Sequence, residues 1–197
     1  TFYYFMIIEN FFPTNIGFVF NPNHSKIEDR LVKHCYGLKK KIPSGGDNWI
    51  ARTYNTSRGK YDIYKDSKFK DLNAWIDEQV DKYISQLSLR CTRQGAHGWL
   101  NVYKKHDFQE YHNHVGYIIS CVYFLKSDSK ASSLFFKSPV QETSNIGSDL
   151  LVKHQPNGVV AYQPDAGKLI IFRSYLEHCV GQHLGTKDRI TLAYNYN

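Results

Sequence analysis

The chain reads as a mainly β protein with supporting helices (α+β): a β-sandwich or jelly roll with N-terminal helices packed on one sheet. Three observations point there. From Gly98 onward, short apolar runs alternate with turn residues, and aromatic and β-branched side chains fit half-buried pleated surfaces. Before Gly98 stand two stretches with apolar residues at helical spacing. Finally, 197 residues with 42% hydrophobic and 15% aromatic content suit one sizeable core rather than a disordered chain. A single domain, 1-197, is expected, with 1-97 as helical support with strands and 98-197 as the β core.

Tyr3 to Ile8 suggests an opening strand, stopped by Asn10-Phe11-Phe12-Pro13. Ser25 with Glu28 has the spacing of a capping box, and Ile27, Leu31, Cys35 and Leu38 continue as a helix toward Lys39-Lys40-Lys41, with Gly37 at a fraying end. Pro43 to Asn48 breaks that pattern before Trp49 to Tyr54 turns extended. A second helix from about Ser67 to Leu87 carries the stripe Phe69, Leu72, Trp75, Ile76, Val80, Tyr83 and Leu87. Strands are then expected over Trp99 to Tyr103, Tyr117 to Leu125, Ser133 to Phe136, Val159 to Tyr162, Lys168 to Phe172, Cys179 to Gly181 and Ile190 to Tyr196. Ser138 to Gly158 is long and polar, the character of a functional loop or lid.

A net charge of +7 raises the question of nucleic acid, but the single tight basic run, Lys39 to Lys41, fits a solvated helix C-terminus that complements the helix dipole. No nucleic-acid partner is expected. Cys35, Cys91, Cys121 and Cys179 lack CxxC spacing, which argues against a zinc knuckle or a disulfide framework and for free thiols in a reducing compartment. The run Phe2 to Ile8 is too short for a membrane span and lacks the basic flank of a signal peptide. A soluble cytoplasmic protein without a membrane partner is expected; the oligomeric state is left open.

The chemistry concentrates in His112-Asn113-His114 and, far downstream, His178 and Arg189. Side chains alternate along a strand, so histidines two apart on one strand project to one face and offer two imidazoles to a single ion. With His178 as third ligand, such a set suits Fe(II), Zn(II) or Cu(II) and leaves coordination positions open for reactants.

Tyr103, then His112-Asn113-His114, then a strand ending Val122 to Leu125, then the turn Pro164-Asp165-Ala166-Gly167, then His178 and Arg189, together resemble an Fe(II)/2-oxoglutarate-dependent oxygenase. The order is most similar to the prolyl 4-hydroxylase-like members, of the small type found in bacteria and in viruses of marine bacteria. The likeness covers about Trp99 to Asn195 and implies a double-stranded β-helix (jelly roll) supported by the N-terminal helices. It implies Fe(II), 2-oxoglutarate and O2 as cofactor and cosubstrates, with succinate and CO2 as co-products. It makes His112 and His178 iron ligands, gives Arg189 the distal carboxylate of 2-oxoglutarate through a bidentate salt bridge, and lets Tyr103 and Thr191 hydrogen-bond that carboxylate.

His114 stands where the family has an aspartate. As third ligand it would leave the centre one negative charge poorer and raise the iron's potential; otherwise it sits behind the ligands, leaving an open position or admitting a carboxylate from Asp107 or Glu110. The implied substrate is a peptide or protein, with proline favoured, under loops at Gly45 to Gly59 and Ser138 to Gly158; the implied location is cytoplasmic, a host's cytoplasm for a viral protein. Two other readings stand beside this one: a three-histidine cupin-type dioxygenase that needs no 2-oxoglutarate, and a non-enzymatic jelly-roll binding or virion module. Arg189 weighs against the first, which has no use for a buried arginine there.

Overall fold

Two antiparallel sheets face each other in the computed structural model, which describes residues 13–45, 49–57, 61–140 and 158–197. The chain runs β1 (Ile16–Phe20), α1 (His24–Lys41), β2 (Tyr54–Asn55), two 3-10 turns (Ile63–Lys65 and Ser67–Phe69), α2 (Lys70–Gln86) and β3 (Ala96–Tyr103). It continues through β4 (Gln109–His112), β5 (Ile119–Lys126), β6 (Leu134–Lys137), β7 (Val159–Tyr162), β8 (Lys168–Arg173), β9 (His178–Val180) and β10 (Arg189–Tyr196). The larger sheet has the order β1-β8-β5-β10-β3-β2, and the smaller has β4-β9-β6-β7. This is the jelly roll that the strand pattern predicts.

Strand alternation decides what each face of the larger sheet does. On β10, Ile190, Leu192, Tyr194 and Tyr196 join Leu100 and Val102 of β3 and Leu169 and Ile171 of β8 in a core shared with the helices. The helices answer with Leu31 and Cys35 of α1 and Leu72, Ile76 and Val80 of α2. The opposite face of the same sheet contributes Phe124, Ile170 and Phe172 to a second core, completed from the smaller sheet by Leu134, Phe136 and Val180. Each such side chain taken fully from water contributes about 1.5–3 kcal/mol, so both faces of the central strands are apolar and their sequences run nearly continuously hydrophobic.

Several local expectations shift. Ser25 does not cap α1: the helix begins at His24, with Asn23 in the cap position and the Asn21 side chain accepting from the Asn23 N–H at 2.9 Å. Gly37 lies inside α1 rather than at its end, because Leu38 continues the buried stripe to the Lys39–Lys41 turn. Trp49 to Tyr54 yields only the two-residue β2, since that segment is fastened by side chains rather than by a ladder. The edge strand β1 was not anticipated: its alternation is blurred by Phe18 and Phe20, which are 60% and 50% exposed. The expected strand at Tyr3 to Ile8 lies outside the described residues, as do much of Ser138 to Gly158 and parts of Gly45 to Gly59. The four cysteines are unpaired, and no described helix is long and apolar enough to cross a membrane.

The expected turn at Pro164 to Gly167 is present, and its glycine is required twice over. Gly167 has φ +85, and a Cβ there would lie 2.9 Å from the His24 ring. That turn leads β8 into the middle of the larger sheet, beside β5.

Candidate metal centre

β4 and β9 pair so that His112 and His178 are direct cross-strand partners, which sets both side chains on the same face. Their ring centroids are 4.3 Å apart. His114 arrives differently from the expectation: β4 ends at His112, and His114 lies beyond it, its backbone N–H donating to the Ser174 carbonyl at 2.9 Å. That bond turns the His114 ring inward to 5.1 Å from His112 and 5.0 Å from His178. One nitrogen from each of the three rings lies within 4.8 Å of the others.

Backbone carbonyls choose the tautomers. His112 Nδ1 stands 2.8 Å from the Glu110 carbonyl and His178 Nδ1 stands 2.9 Å from the Leu176 carbonyl. A carbonyl only accepts, so both Nδ1 atoms carry hydrogen and each Nε2 keeps its lone pair for an ion. Burial lowers the pKa of all three rings. For His112 the Glu110 carbonyl and carboxylate oppose that shift, while His114 is pushed down to about 3 with His112 adding to the effect. The cluster is therefore neutral at physiological pH, the state in which imidazole binds metal.

The two carboxylates near this strand are engaged elsewhere. Asp107 Oδ2 accepts from the Lys104 N–H at 2.8 Å in a tight turn. Glu110 Oε1 accepts from the N–H groups of Ile50 and Ala51, and its Oε2 accepts from Gln109. Among the described residues, the histidine cluster has no carboxylate member.

Arg189 begins β10 opposite Tyr103, the last residue of β3. It is fully buried, and its Nε and Nη1 have no hydrogen-bond partner. The guanidinium carbon lies 4.6 Å from the Tyr103 ring centre and 5.2 Å from that of Phe124. Burial lowers the guanidinium pKa and the Tyr103 phenol beside it opposes that shift. The same burial raises the phenol's pKa, opposed by the guanidinium, so Tyr103 is a neutral donor. Two residues along the same strand face, Thr191 Oγ1 accepts from Asn101 Nδ2 at 3.3 Å, which leaves its own hydrogen free to donate. A buried cation without an anion is costly, and these groups mark a place for one.

All six predicted residues, His112, His114, His178, Arg189, Tyr103 and Thr191, line one cavity of about 310 Å³. The sequence reading overlooked two others on its wall. Trp99 shares a strand face with Asn101 and Tyr103, a signal that period-two counting back from Tyr103 would have caught. Trp49 had no such signal, because a loop brings it edge-on to His112 with ring centres 5.1 Å apart.

The family described as "Putative 2OG-Fe(II) oxygenase" matches residues 97–195. No curated protein matches the chain. Among solved structures, a Pseudomonas putida prolyl-4-hydroxylase superposes with a TM-score of 0.62 at 14% identity, covering 93% of this chain and 92% of that one. A Trichoplax adhaerens prolyl hydroxylase, in complex with a hypoxia inducible factor oxygen degradation domain peptide fragment, gives 0.62 at 14% identity, with 92% and 82% covered. HygX from Streptomyces hygroscopicus, with nickel, 2-oxoglutarate and hygromycin B bound, gives 0.57 at 11% identity, with 93% and 83% covered.

Proposed function

The chain belongs to the 2OG-Fe(II) oxygenase family, and from that premise we propose that it is a dioxygenase hydroxylating a peptidyl substrate, with proline the favoured residue. The family works with Fe(II), 2-oxoglutarate and O2. The residues present fit that equipment: three neutral imidazoles suit Fe(II), and a buried guanidinium with free N–H groups suits a dicarboxylate. When bound, iron would let O2 act as the oxidant, with 2-oxoglutarate giving two electrons as it becomes succinate and CO2 and the substrate C–H bond giving the other two, so that one oxygen atom enters each product.

The chain's own part is to hold, orient and shield. His112, His114 and His178 are the proposed iron ligands, with the Glu110 and Leu176 carbonyls fixing two of the rings. Arg189 takes the distal carboxylate of 2-oxoglutarate, while the phenol of Tyr103 and the hydroxyl of Thr191 donate to the same group. The facing apolar side chains of Leu134, Phe172 and Val180 keep water from the pocket. The buried guanidinium of Arg189, with Nε and Nη1 left without a partner, carries this reading, because a three-histidine site that worked without 2-oxoglutarate would have no anion to set against it.

Prolyl hydroxylase-like neighbours support the peptidyl substrate, one of them bound to a peptide. The test feeds proline-containing peptides, free amino acids and nucleosides to the Fe(II)-loaded protein with 2-oxoglutarate. Succinate formation coupled to a gain of one oxygen atom on a peptide is the expected result. Oxygen gained only by a small molecule would overturn the peptidyl assignment, and no succinate with any substrate would overturn the oxygenase assignment for this chain.

A further inference from the structure

We propose that Trp49 and Trp99 form a seat for an uncharged ring of the substrate above the three histidines, and that Glu110 is the positioning residue that holds Trp49 there. The proposal rests on the reading above and names the residues that would recognise the peptidyl ring. Trp99 stands on β3 with its ring 5.5 Å from His114. It is braced from behind by His97, stacked at 6.0 Å and 26°, whose Nδ1 lies 3.5 Å from Asp62. Trp49 stands at the other side, 5.1 Å from His112 at 73°. Both indoles are half-buried on the cavity wall.

Trp49 does not hold itself in place. Its neighbour Ile50 is 83% exposed, so packing by that side chain does little for Trp49, and the buried residues of the segment begin at Ala51. The segment is also fastened to β4 and the residue before it: Glu110 Oε1 accepts from Ile50 N–H at 2.5 Å and Ala51 N–H at 3.1 Å, and Thr53 Oγ1 donates to the Phe108 carbonyl at 2.7 Å. Hydrogen bonds to an ionised carboxylate are the stronger kind. The same Glu110 holds His112 through its backbone carbonyl, so one residue sets both the indole and the imidazole it faces.

Charge selects the occupant. Among the described residues lining the cavity, Arg189 is the one Lys, Arg, Asp or Glu, and the cosubstrate claims it. What is left to the substrate is indole faces and uncharged polar side chains, among them the amides of Asn55 and Asn113 and the phenol of Tyr117. The ammonium of a free amino acid would be buried beside a centre in which Fe(II) and Arg189 already outweigh the two carboxylates of 2-oxoglutarate, at high cost. A proline within a peptide brings only a neutral ring and neutral amides, and proline segments characteristically dock on aromatic walls.

The experiment measures binding calorimetrically to the full chain loaded with Ni(II) and 2-oxoglutarate, using a terminally blocked Ala-Pro-Ala peptide and free L-proline. The peptide is expected to bind more tightly than proline by about tenfold or more, and Trp49→Ala and Glu110→Ala each to lose about tenfold for the peptide with 2-oxoglutarate binding unchanged. Trp49→Phe should recover most of the loss. The double variant Trp49→Ala/Glu110→Ala should be no worse than the weaker single, since Glu110 acts through Trp49. Peptide binding unchanged in Trp49→Ala, or proline bound as well as peptide, would overturn the seat; additive losses would overturn the role of Glu110. No peptide binding by the wild type, with succinate still formed under Fe(II), would remove both the seat and the peptidyl reading. Trp49-dependent binding without any oxygen gained by the peptide would keep the seat and remove that reading alone.

Discussion

Replacing Arg189 by methionine should move binding and folding in opposite directions. The guanidinium is fully buried, and its Nε and Nη1 meet no partner in the protein. If the distal carboxylate of 2-oxoglutarate is the missing anion, removing the cation leaves that carboxylate unpaired in a dry pocket. Breaking a buried charged pair from one side costs about 3–5 kcal/mol, which is roughly two to three and a half orders of magnitude in affinity. Without cosubstrate the sign reverses, because methionine is spared the desolvation of an unpaired charge; exchanging buried ionic groups for well-packed apolar ones is often neutral or stabilising by about 1–4 kcal/mol. The lost contact with the Tyr103 ring offsets about 0.5–2 kcal/mol of this. Each remaining kcal/mol corresponds to about 2–4 °C in a chain of this size. Calorimetry of 2-oxoglutarate binding to the Ni(II)-loaded protein and a thermal melt of the metal-free protein read the two effects separately. Unchanged 2-oxoglutarate affinity would refute the assignment, and a metal-free melt lowered by many degrees would show that Arg189 has a structural partner after all.

Three further outcomes follow from the site and its scaffold. His114→Ala and His178→Ala should each lose the metal while His114→Asp keeps Fe(II) or Ni(II) within about tenfold of the wild type, as followed by equilibrium dialysis; a His114→Ala protein with wild-type metal affinity would place His114 outside the ligand set. Metal-free protein should lose stability as pH falls below 6.5, the ordinary histidine value: the folded rings resist protonation, the unfolded ones accept it, and stability therefore rises with pH across this window. Below pH 6.5 the slope should approach about 1.4 kcal/mol per pH unit for each of His114 and His178, whose pKa values lie well below the ordinary one, and a melt that stays flat there would contradict the buried neutral cluster. Gly98→Ala should destabilise the fold by about 1–3 kcal/mol in chemical denaturation, since the new Cβ would lie 2.7 Å from Ile63 Cγ1 and 2.8 Å from Tyr194 Cδ1.

The strands were legible where turn residues bracket them. Val159 to Tyr162 and Lys168 to Phe172 begin at the expected residues because a glycine or a glycine-bearing turn precedes each. The stripe on α2 was legible for the same reason that it packs: its period matches the helix, and Leu72, Ile76 and Val80 are buried as their spacing demands. The placement of His114 was not legible, since the bond from its N–H to Ser174 joins segments far apart in the sequence. The fate of Glu110 was hidden likewise: its carboxylate looked free to bind metal until the loop at Ile50 and Ala51 folded over it. Local pattern reports which face a residue takes; it does not report which distant backbone claims its side chain.

The alternation along β10 has a consequence for anyone wishing to redesign the enzyme. Ile190, Leu192, Tyr194 and Tyr196 are set into the helix-side core, while Arg189, Thr191, Ala193 and Asn195 line the cavity. Scaffold and chemistry are thus interleaved residue by residue yet separated by the thickness of a sheet, so mutagenesis libraries confined to the cavity register can vary the reaction chamber while leaving the foundation untouched. Ala193 is the smallest side chain of that register and, with no anchoring task, the natural position at which to begin narrowing the chamber one methylene at a time.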